Sequence, residues 1–240
     1  MPAREIAARA VIVTRPEPGA TETAAAVAAL GWRPVLAPAL VLRSTAPTAL
    51  PRAQALLLPS RAAARALPPA PLPVLAVGAG TAQEARARGF SDVTAAEGEA
   101  VALAALAAER LDPRAGPLLL AVGRGYSTGL AAALRRRGFR VIRRVVYEAI
   151  PADGLPPDAI AALRAGEAAA VFVTSPRGAR ILVAQLRAEG LADATAGLRA
   201  LVLSPRIGEA LAPLHWRSIE TTPRPDPALL PALLGAAPLP

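Results

Sequence analysis

The sequence has no cysteine, no lysine and no asparagine, and a single histidine, His215, in 240 residues. Without cysteine there is no disulfide, no thiolate nucleophile and no thiolate metal ligand. One histidine cannot build a histidine-rich zinc site. Without lysine there is neither a Schiff-base amine nor the lysine of a P-loop. Aromatic residues make up 3% of the chain, too few for the stacking platforms that bind single-stranded nucleic acid. Apolar runs long enough to span a bilayer are also missing, because Glu or Arg interrupts each alanine-rich segment. The opening MPAREIAARAVIVTRP carries early arginines, but its apolar run stops at Arg15-Pro16. It does not read as a signal peptide, and the expected location is cytoplasmic.

What remains is apolar and basic. Hydrophobic residues are 53% of the chain, mostly Ala, Leu and Val, enough to bury a substantial core. All 27 basic residues are arginine, against 18 acidic ones, for a net charge of +9. Abundant Ala, Arg, Pro and Gly without Lys or Asn has the form of a GC-rich coding bias, so part of the basicity reflects composition. The charge still favours a polyanionic partner. The arginines are spread along the chain, the densest run being Arg135-Arg136-Arg137. That dispersal points to a small molecule with several carboxylates or phosphates rather than to nucleic acid or a membrane.

Short apolar runs alternate with helical patterns. Strands are expected at Ala10–Thr14, Ala55–Ser60, Pro73–Gly78, Leu118–Gly123, Ala170–Ser175 and Ala200–Ser204. None alternates polar with apolar, as suits strands covered on both faces. Helices are expected at Thr21–Leu30, Thr81–Arg88, Ser127–Arg137 and Ala179–Glu189. Gly31, Gly89, Gly138 and Gly190 follow them as stop signals. The series reads as doubly wound parallel α/β. Two segments, Arg33–Arg43 and Arg140–Pro151, are β-rich and look too long for one small sheet.

Those two segments expose an internal repeat. The first half runs TRP, helix, GWRPVLAPALVLR, LLLPSRAAARAL, VLAVGAGTAQEARARGF. The second runs GRG, helix, GFRVIRRVVYEAI, VFVTSPRGARIL, ALVLSPRIGEAL. If each long segment crosses between lobes, the lobes are residues 1–37 with 152–240, and residues 38–151. The crossing strands, about 33–43 and 140–151, then form a two-stranded linker with a cleft between the lobes.

In parallel α/β sheets, ligands bind beyond the C-terminal strand ends. The groups expected there are Thr14-Arg15, Ser60-Arg61, Gly78 to Thr81, Gly123-Arg124-Gly125, Thr174 to Arg177 and Ser204 to Arg206. Helix N-termini and arginines both suit carboxylates. The same Ser and Thr residues also read as ordinary N-caps, with Pro at the first helical turn. VGAGTA lacks the last glycine of a dinucleotide fingerprint. Asp and Glu sit mostly on helix faces or in loops, and no carboxylate pair stands out. His215 reads as structural. Tyr147, one of two tyrosines, lies in a long crossing segment, where it either packs or donates a hydrogen bond.

Taken in order, VIVTRPEPGATETAAAVAALGWRPVLAPAL, LLLPSRAAARAL, VLAVGAGTAQEARARGF, RRRGFRVIRRVVYEA and VFVTSPRGARIL resemble the uroporphyrinogen-III synthases. The resemblance covers about residues 10–230. It implies two α/β lobes on a two-stranded linker, with the active site between them. The implied substrate is hydroxymethylbilane, a linear tetrapyrrole with eight carboxylates. The implied activity is a cyclising hydro-lyase that needs no metal or organic cofactor, closing the ring through an azafulvene cation and a spirocyclic pyrrolenine with inversion of ring D. Neither nucleic acid nor a membrane is an expected partner; a monomer is expected, with a transient contact to the preceding pathway enzyme.

By resemblance, Tyr147 is the expected general acid, matching the family's tyrosine in the returning linker strand. Thr81 matches the hydroxyl of the VG-x-x-T loop that contains Gly78 and Gly80. Ser60, Thr174 and Ser175 match strand-end hydroxyls. Thr14, Arg15, Arg177 and Ser204 complete the expected substrate-binding set. The chain departs from the family pattern at Ile207, where many members carry a hydroxyl, and at Pro59, where a Thr-Ser pair is commoner. A catalytically degenerate module that binds an anionic tetrapyrrole, or another polyanion, is the alternative reading.

Overall fold

The structure is a computed structural model and describes residues 10–45 and 49–237. β1 (Ala10–Val13) is followed by α1 (Gly19–Ala29), β2 (Arg33–Leu36) and β3 (Leu40–Ser44). Next come β4 (Ala55–Leu58), α2 (Arg61–Ala66), β5 (Val74–Ala76), α3 (Ala79–Ala87), β6 (Val93–Ala95), α4 (Ala100–Arg110), β7 (Leu118–Gly123), α5 (Gly129–Arg136) and β8 (Val141–Pro151). The rest is α6 (Pro157–Arg164), β9 (Ala168–Val173), α7 (Pro176–Ala188), β10 (Arg199–Val202), α8 (Pro205–Leu211), β11 (Ser218–Thr221) and α9 (Leu230–Leu234). Two short 3-10 turns lie at Asp193–Gly197 and Pro227–Leu229.

The chain forms two compact units. The first runs to Val41 and resumes at Ile150; the second is Leu42–Ala149. The first contains a five-stranded sheet in the order β11-β10-β9-β1-β2, with every neighbouring pair parallel. The other sheet runs β3-β8-β7-β4-β5-β6 and is parallel from β8 to β6. β3 runs against β8. Thr45 N–H bonds Val146 O at 2.9 Å and Ala152 N–H bonds Ala39 O at 3.1 Å, so numbering rises on one strand as it falls on the other.

The apolar runs form strands because both faces are covered. β1, β4, β7 and β9 are buried at every residue. Phe172, Ile12 and Leu201 fill one core; Leu57, Leu118 and Leu120 fill one side of the other sheet, and Leu56, Leu58 and Leu119 the other side. Matching the halves of the sequence sets β1 against β7, β2 against β8, β4 against β9, β5 against β10 and β6 against β11. Under that correspondence β2-β1-β9-β10-β11 and β8-β7-β4-β5-β6 are the same strand order. Each unit joins the opening βαβ of one half to the later strands of the other.

Two expectations are corrected. The segment Arg33–Arg43 is two strands, not one. Ala37 N–H goes to Val13 O and Ala39 N–H to Thr14 O, while regular pairing with β1 stops after Leu36. The chain leaves β1 there and continues as β3. Most strands also stop earlier than expected. Ser60, Ser175 and Ser204 keep extended backbones, but each precedes the first residue of a helix rather than continuing a ladder. The helices end at glycine as the punctuation requires: Gly31 and Gly138, equivalent in the repeat, have φ of +83° and +88°.

The C-terminal segment is tied to the first unit through Arg199. Its guanidinium pairs with Glu220 through Nε and Nη2, at 2.9 and 2.8 Å, and also donates to the Leu233 and Leu234 carbonyls. Trp32 Nε1 donates to Gly235 O at 2.8 Å. Hydrogen bonds from Arg199 hold the Glu220 carboxyl below the usual carboxylate range. A depressed carboxyl pKa adds stability above the unfolded-state pKa, and that stability is lost as pH falls through the folded value. Replacing Glu220 by Gln is therefore expected to lower stability at pH 7 by about 1 kcal/mol, allowing for partial solvent screening. The deficit begins to close as pH falls below the ordinary glutamate range and is gone below the folded value, as denaturant midpoints across pH would show.

Candidate functional site

Parallel strands deliver their C-terminal ends to one edge of each sheet, next to the N-termini of the helices that follow. In both units the connections diverge at one place. β1 and β9 flank it in the first unit, and β7 and β4 in the second. Such a switch point leaves a crevice beyond the strand ends.

At the second unit's switch point stand Ser60, Gly123, Arg124 and Tyr147. Ser60 caps α2: its Oγ accepts the Ala63 N–H at 3.1 Å. The same Oγ lies 3.3 Å from the Tyr147 hydroxyl. Tyr147 is half-buried, and its ring rests against the backbone of Gly123. The other tyrosine, Tyr126, is nearby. Burial first, and Tyr147 second, raise the Tyr126 phenol above its usual pKa.

Arg124 extends from the end of β7 and pairs with Glu148 at 2.8 Å. Arg43 pairs with the other oxygen of the same carboxylate. Hydrogen bonds from Arg43 and then Arg124 hold Glu148 below the usual carboxylate range. Both guanidiniums are largely exposed, at 62% and 68%, so each keeps donors turned to solvent. Nothing in the sequence signals this cluster, because Arg43 and Glu148 lie 105 positions apart.

α3 starts beside this set. Gly78 is its extended N-cap and Gly80 is exposed in its first turn. The first N–H groups of a helix have no intrahelical partner, so the turn from Ala79 to Thr81 presents donors. A Cβ on Gly80 would lie 3.9 Å from Arg61 Cδ, which places the Arg61 stem against this helix start. Thr81, expected to face a ligand, is only 5% exposed, on the inner side of α3. Its backbone belongs to the donor turn, but its hydroxyl does not face outward.

In the first unit, Ser175 caps α7 by accepting the Gly178 N–H at 3.0 Å. Thr174 is half-buried and Arg177 exposed. Ser204 occupies the equivalent position before α8 but makes no side-chain capping bond. Arg206 is exposed, while Ile207, the departure from the family pattern, is 2% exposed in the core. Thr14 was expected at the ligand edge. It is 4% exposed, and its hydroxyl donates to Phe172 O at 2.7 Å, a bond internal to the unit. Arg15 folds onto α1, where its guanidinium lies against Gly19 and contacts Thr23 Oγ1 at 3.4 Å. Arg15 thus lies along the start of the helix that follows it. Pro59 simply ends β4 ahead of the cap.

Among the described residues, no three or more His, Asp or Glu side chains form a metal-binding group, and no helix is long and apolar enough to cross a membrane. What the strand ends provide is a phenol and serine hydroxyl in contact, helix-start donors and exposed guanidiniums. That chemistry suits proton donation next to a polycarboxylate.

The family model described as uroporphyrinogen-III synthase HemD matches residues 21–230. The chain belongs to the uroporphyrinogen-III synthase family. Comparison with curated protein sequences yields no match. Among solved structures, it resembles the uroporphyrinogen-III synthetase of Helicobacter pylori 26695 with a TM-score of 0.57 and 13% identity, over 94% of this chain and 98% of that one. A mutant uroporphyrinogen III synthase from the extremely thermophilic bacterium Thermus thermophilus matches at 20% identity and TM-score 0.43, over 95% and 96% of the two chains. The Helicobacter comparison shows the fold: α/β, with parallel sheets.

The two serines of this synthase-family chain separate capping from ligand contact. Ser175→Ala is expected to lose about 1 kcal/mol through the missing cap. Ser204→Ala, with no capping bond to lose, is expected to stay within about 0.5 kcal/mol of the parent. Urea midpoints of the two variants read the difference.

Proposed function

We propose that the protein is a cofactor-independent lyase that converts hydroxymethylbilane to uroporphyrinogen III, with loss of water and inversion of ring D. The observation that carries this reading is the family match across residues 21–230. The chemistry of the strand ends supports it. Departure of the terminal hydroxyl needs a proton, and a phenol O–H such as that of Tyr147 can donate one. Ser60 Oγ stands 3.3 Å from that phenol and is fixed by the α2 backbone. The proton leaves with the hydroxyl as water, and the pyrrole nitrogen lone pair stabilises the azafulvene cation that remains.

Closure onto the cation is intrinsically easy, so the protein's larger task is geometric. The substituted carbon of ring D has to reach the cationic carbon, giving the spirocyclic pyrrolenine that rearranges to the type III ring. Carboxylate contacts control that approach. Each unit offers donors of its own at its strand ends: the first turn of α3 and the Arg124 guanidinium in the second, and the first turn of α7, the Ser204 hydroxyl and the Arg177 and Arg206 guanidiniums in the first. We further propose that the protein acts as a cytoplasmic monomer, making at most a transient contact with the enzyme that supplies its unstable substrate.

The test is incubation with freshly generated hydroxymethylbilane, followed by separation of the product isomers. The type III isomer in excess is expected; type I alone, the spontaneous product, would reduce the protein to a tetrapyrrole-binding module. Tyr147→Phe is expected to lower kcat by about 100-fold, the scale of a lost general acid, with the isomer preference retained. A variant with unchanged turnover would remove Tyr147 from the mechanism.

A further inference from the structure

Tyr147 reaches Ser60 by crossing a strand. β8, β7 and β4 lie side by side in that order. The phenol starts from β8 and meets Ser60 just beyond the end of β4, at 3.3 Å. Between them is Gly123, the last residue of β7. A Cβ on Gly123 would stand 2.6 Å from Tyr147 Cζ, 2.7 Å from Cε2 and 2.8 Å from the hydroxyl oxygen. Non-bonded carbons prefer about 3.5–4.0 Å, so any side chain at 123 displaces the ring. The ring tip, rather than the backbone, would give way.

The strand pairing is arranged for the same crossing. Val122 pairs with Val145, but Gly123 pairs with Tyr147, leaving Val146 as an extra residue in β8. Val146 and Tyr147 consequently pack against the same apolar cluster, whereas consecutive residues of a regular strand face opposite ways. The bulge re-aims the tyrosine at the very residue that lacks a side chain.

The repeat supplies an internal comparison. TRP at Thr14 corresponds to GRG at Gly123, and the ungapped match from Gly31 to Gly138 sets Leu40 against Tyr147. In the first unit Thr14 keeps a side chain, and its hydroxyl bonds Phe172 O on β9 at 2.7 Å. That hydroxyl links the two strands flanking the switch point. In the second unit glycine leaves the corresponding place clear, and a phenol occupies it. The halves differ at both positions of the crossing: glycine stands for Thr14 and tyrosine for Leu40.

We infer that Gly123 is a positioning residue for the reaction: its missing side chain, with the Val146 bulge, sets the Tyr147 phenol at Ser60. The inference rests on Tyr147 being the proton donor. The chain has two tyrosines, so tyrosine labelled at the ring Cζ alone gives two NMR signals, which Tyr147→Phe assigns. Gly123→Ala is expected to shift the Tyr147 signal and to lower kcat by about 10-fold or more, with KM within about two-fold. The same alanine in a Tyr147→Phe background is expected to cost no further kcat, since there is no phenol left to misplace. An unmoved Tyr147 signal, or losses that multiply in the double variant, would overturn the inference. Should Tyr147→Phe keep full kcat, the proton-donor reading falls, while the tyrosine signal still decides whether Gly123 sets the ring. Should Gly123→Ala fail to fold, Gly123→Ala in a Tyr147→Ala background is expected to melt with Tyr147→Ala alone. A deficit persisting without the ring would refute the claim.

Discussion

Parallel strand pairing is the constraint on which the rest of the molecule depends. A parallel ladder sends every strand in the same direction, so each must return through a helix that covers a face of the sheet. Covered faces explain the unbroken apolar strands. Common direction explains why β1, β9 and β10 in one unit, and β4, β5 and β7 in the other, end beside helix starts. Ser60 and Ser175 close the first helical turn, and they stand where a ligand would meet unpaired backbone donors. Capping does not exhaust Ser60, whose Oγ accepts one N–H and still meets Tyr147.

The two units share a strand order, and their edges differ in the side chains they present. The shared strand order leaves a switch point in each unit. The first is linked by Thr14 bonding across to β9. The second holds Gly123, the displaced Tyr147 and the Glu148 carboxylate gripped by Arg43 and Arg124. Charge is distributed differently too. The exposed guanidiniums of Arg177 and Arg206 flank helix starts in the first unit, while Arg124 is drawn toward Glu148 in the second. A net charge of +9 thus includes arginines committed to internal pairs as well as arginines offered to solvent.

Much of the fold was legible because its signals are local. Continuous apolar runs marked β1, β4, β7 and β9, and glycines with positive φ marked the helix ends. The α/β class and the family followed from their order. The parts that were not legible depend on geometry that one residue decides. A hydroxyl after a strand looks the same whether it turns inward, as Thr14 and Thr81 do, or caps a helix, as Ser175 does. The β-rich segment Arg33–Arg43 reads as continuous, yet it is split between Leu36 and Leu40. The extra residue Val146 is invisible inside RVIRRVVYEAIP, because a bulge leaves no mark on composition. Arg15 reads as a strand-end arginine, yet it lies against Gly19. Ion pairs such as Arg43 with Glu148 join residues too distant in sequence for any spacing rule.

The account's central claim is that a polycarboxylate tetrapyrrole is held by the strand-end donors. Amide NMR of the protein titrated anaerobically with uroporphyrinogen III tests it most directly. The account predicts shifts concentrated in the first turns of α3 and α7, at Ser60, Gly123, Arg124 and Ser204, and at Tyr147. Shifts confined to the opposite strand ends around Arg33 and Glu167, or to the run Arg135 to Arg137, with these residues unmoved, would contradict it.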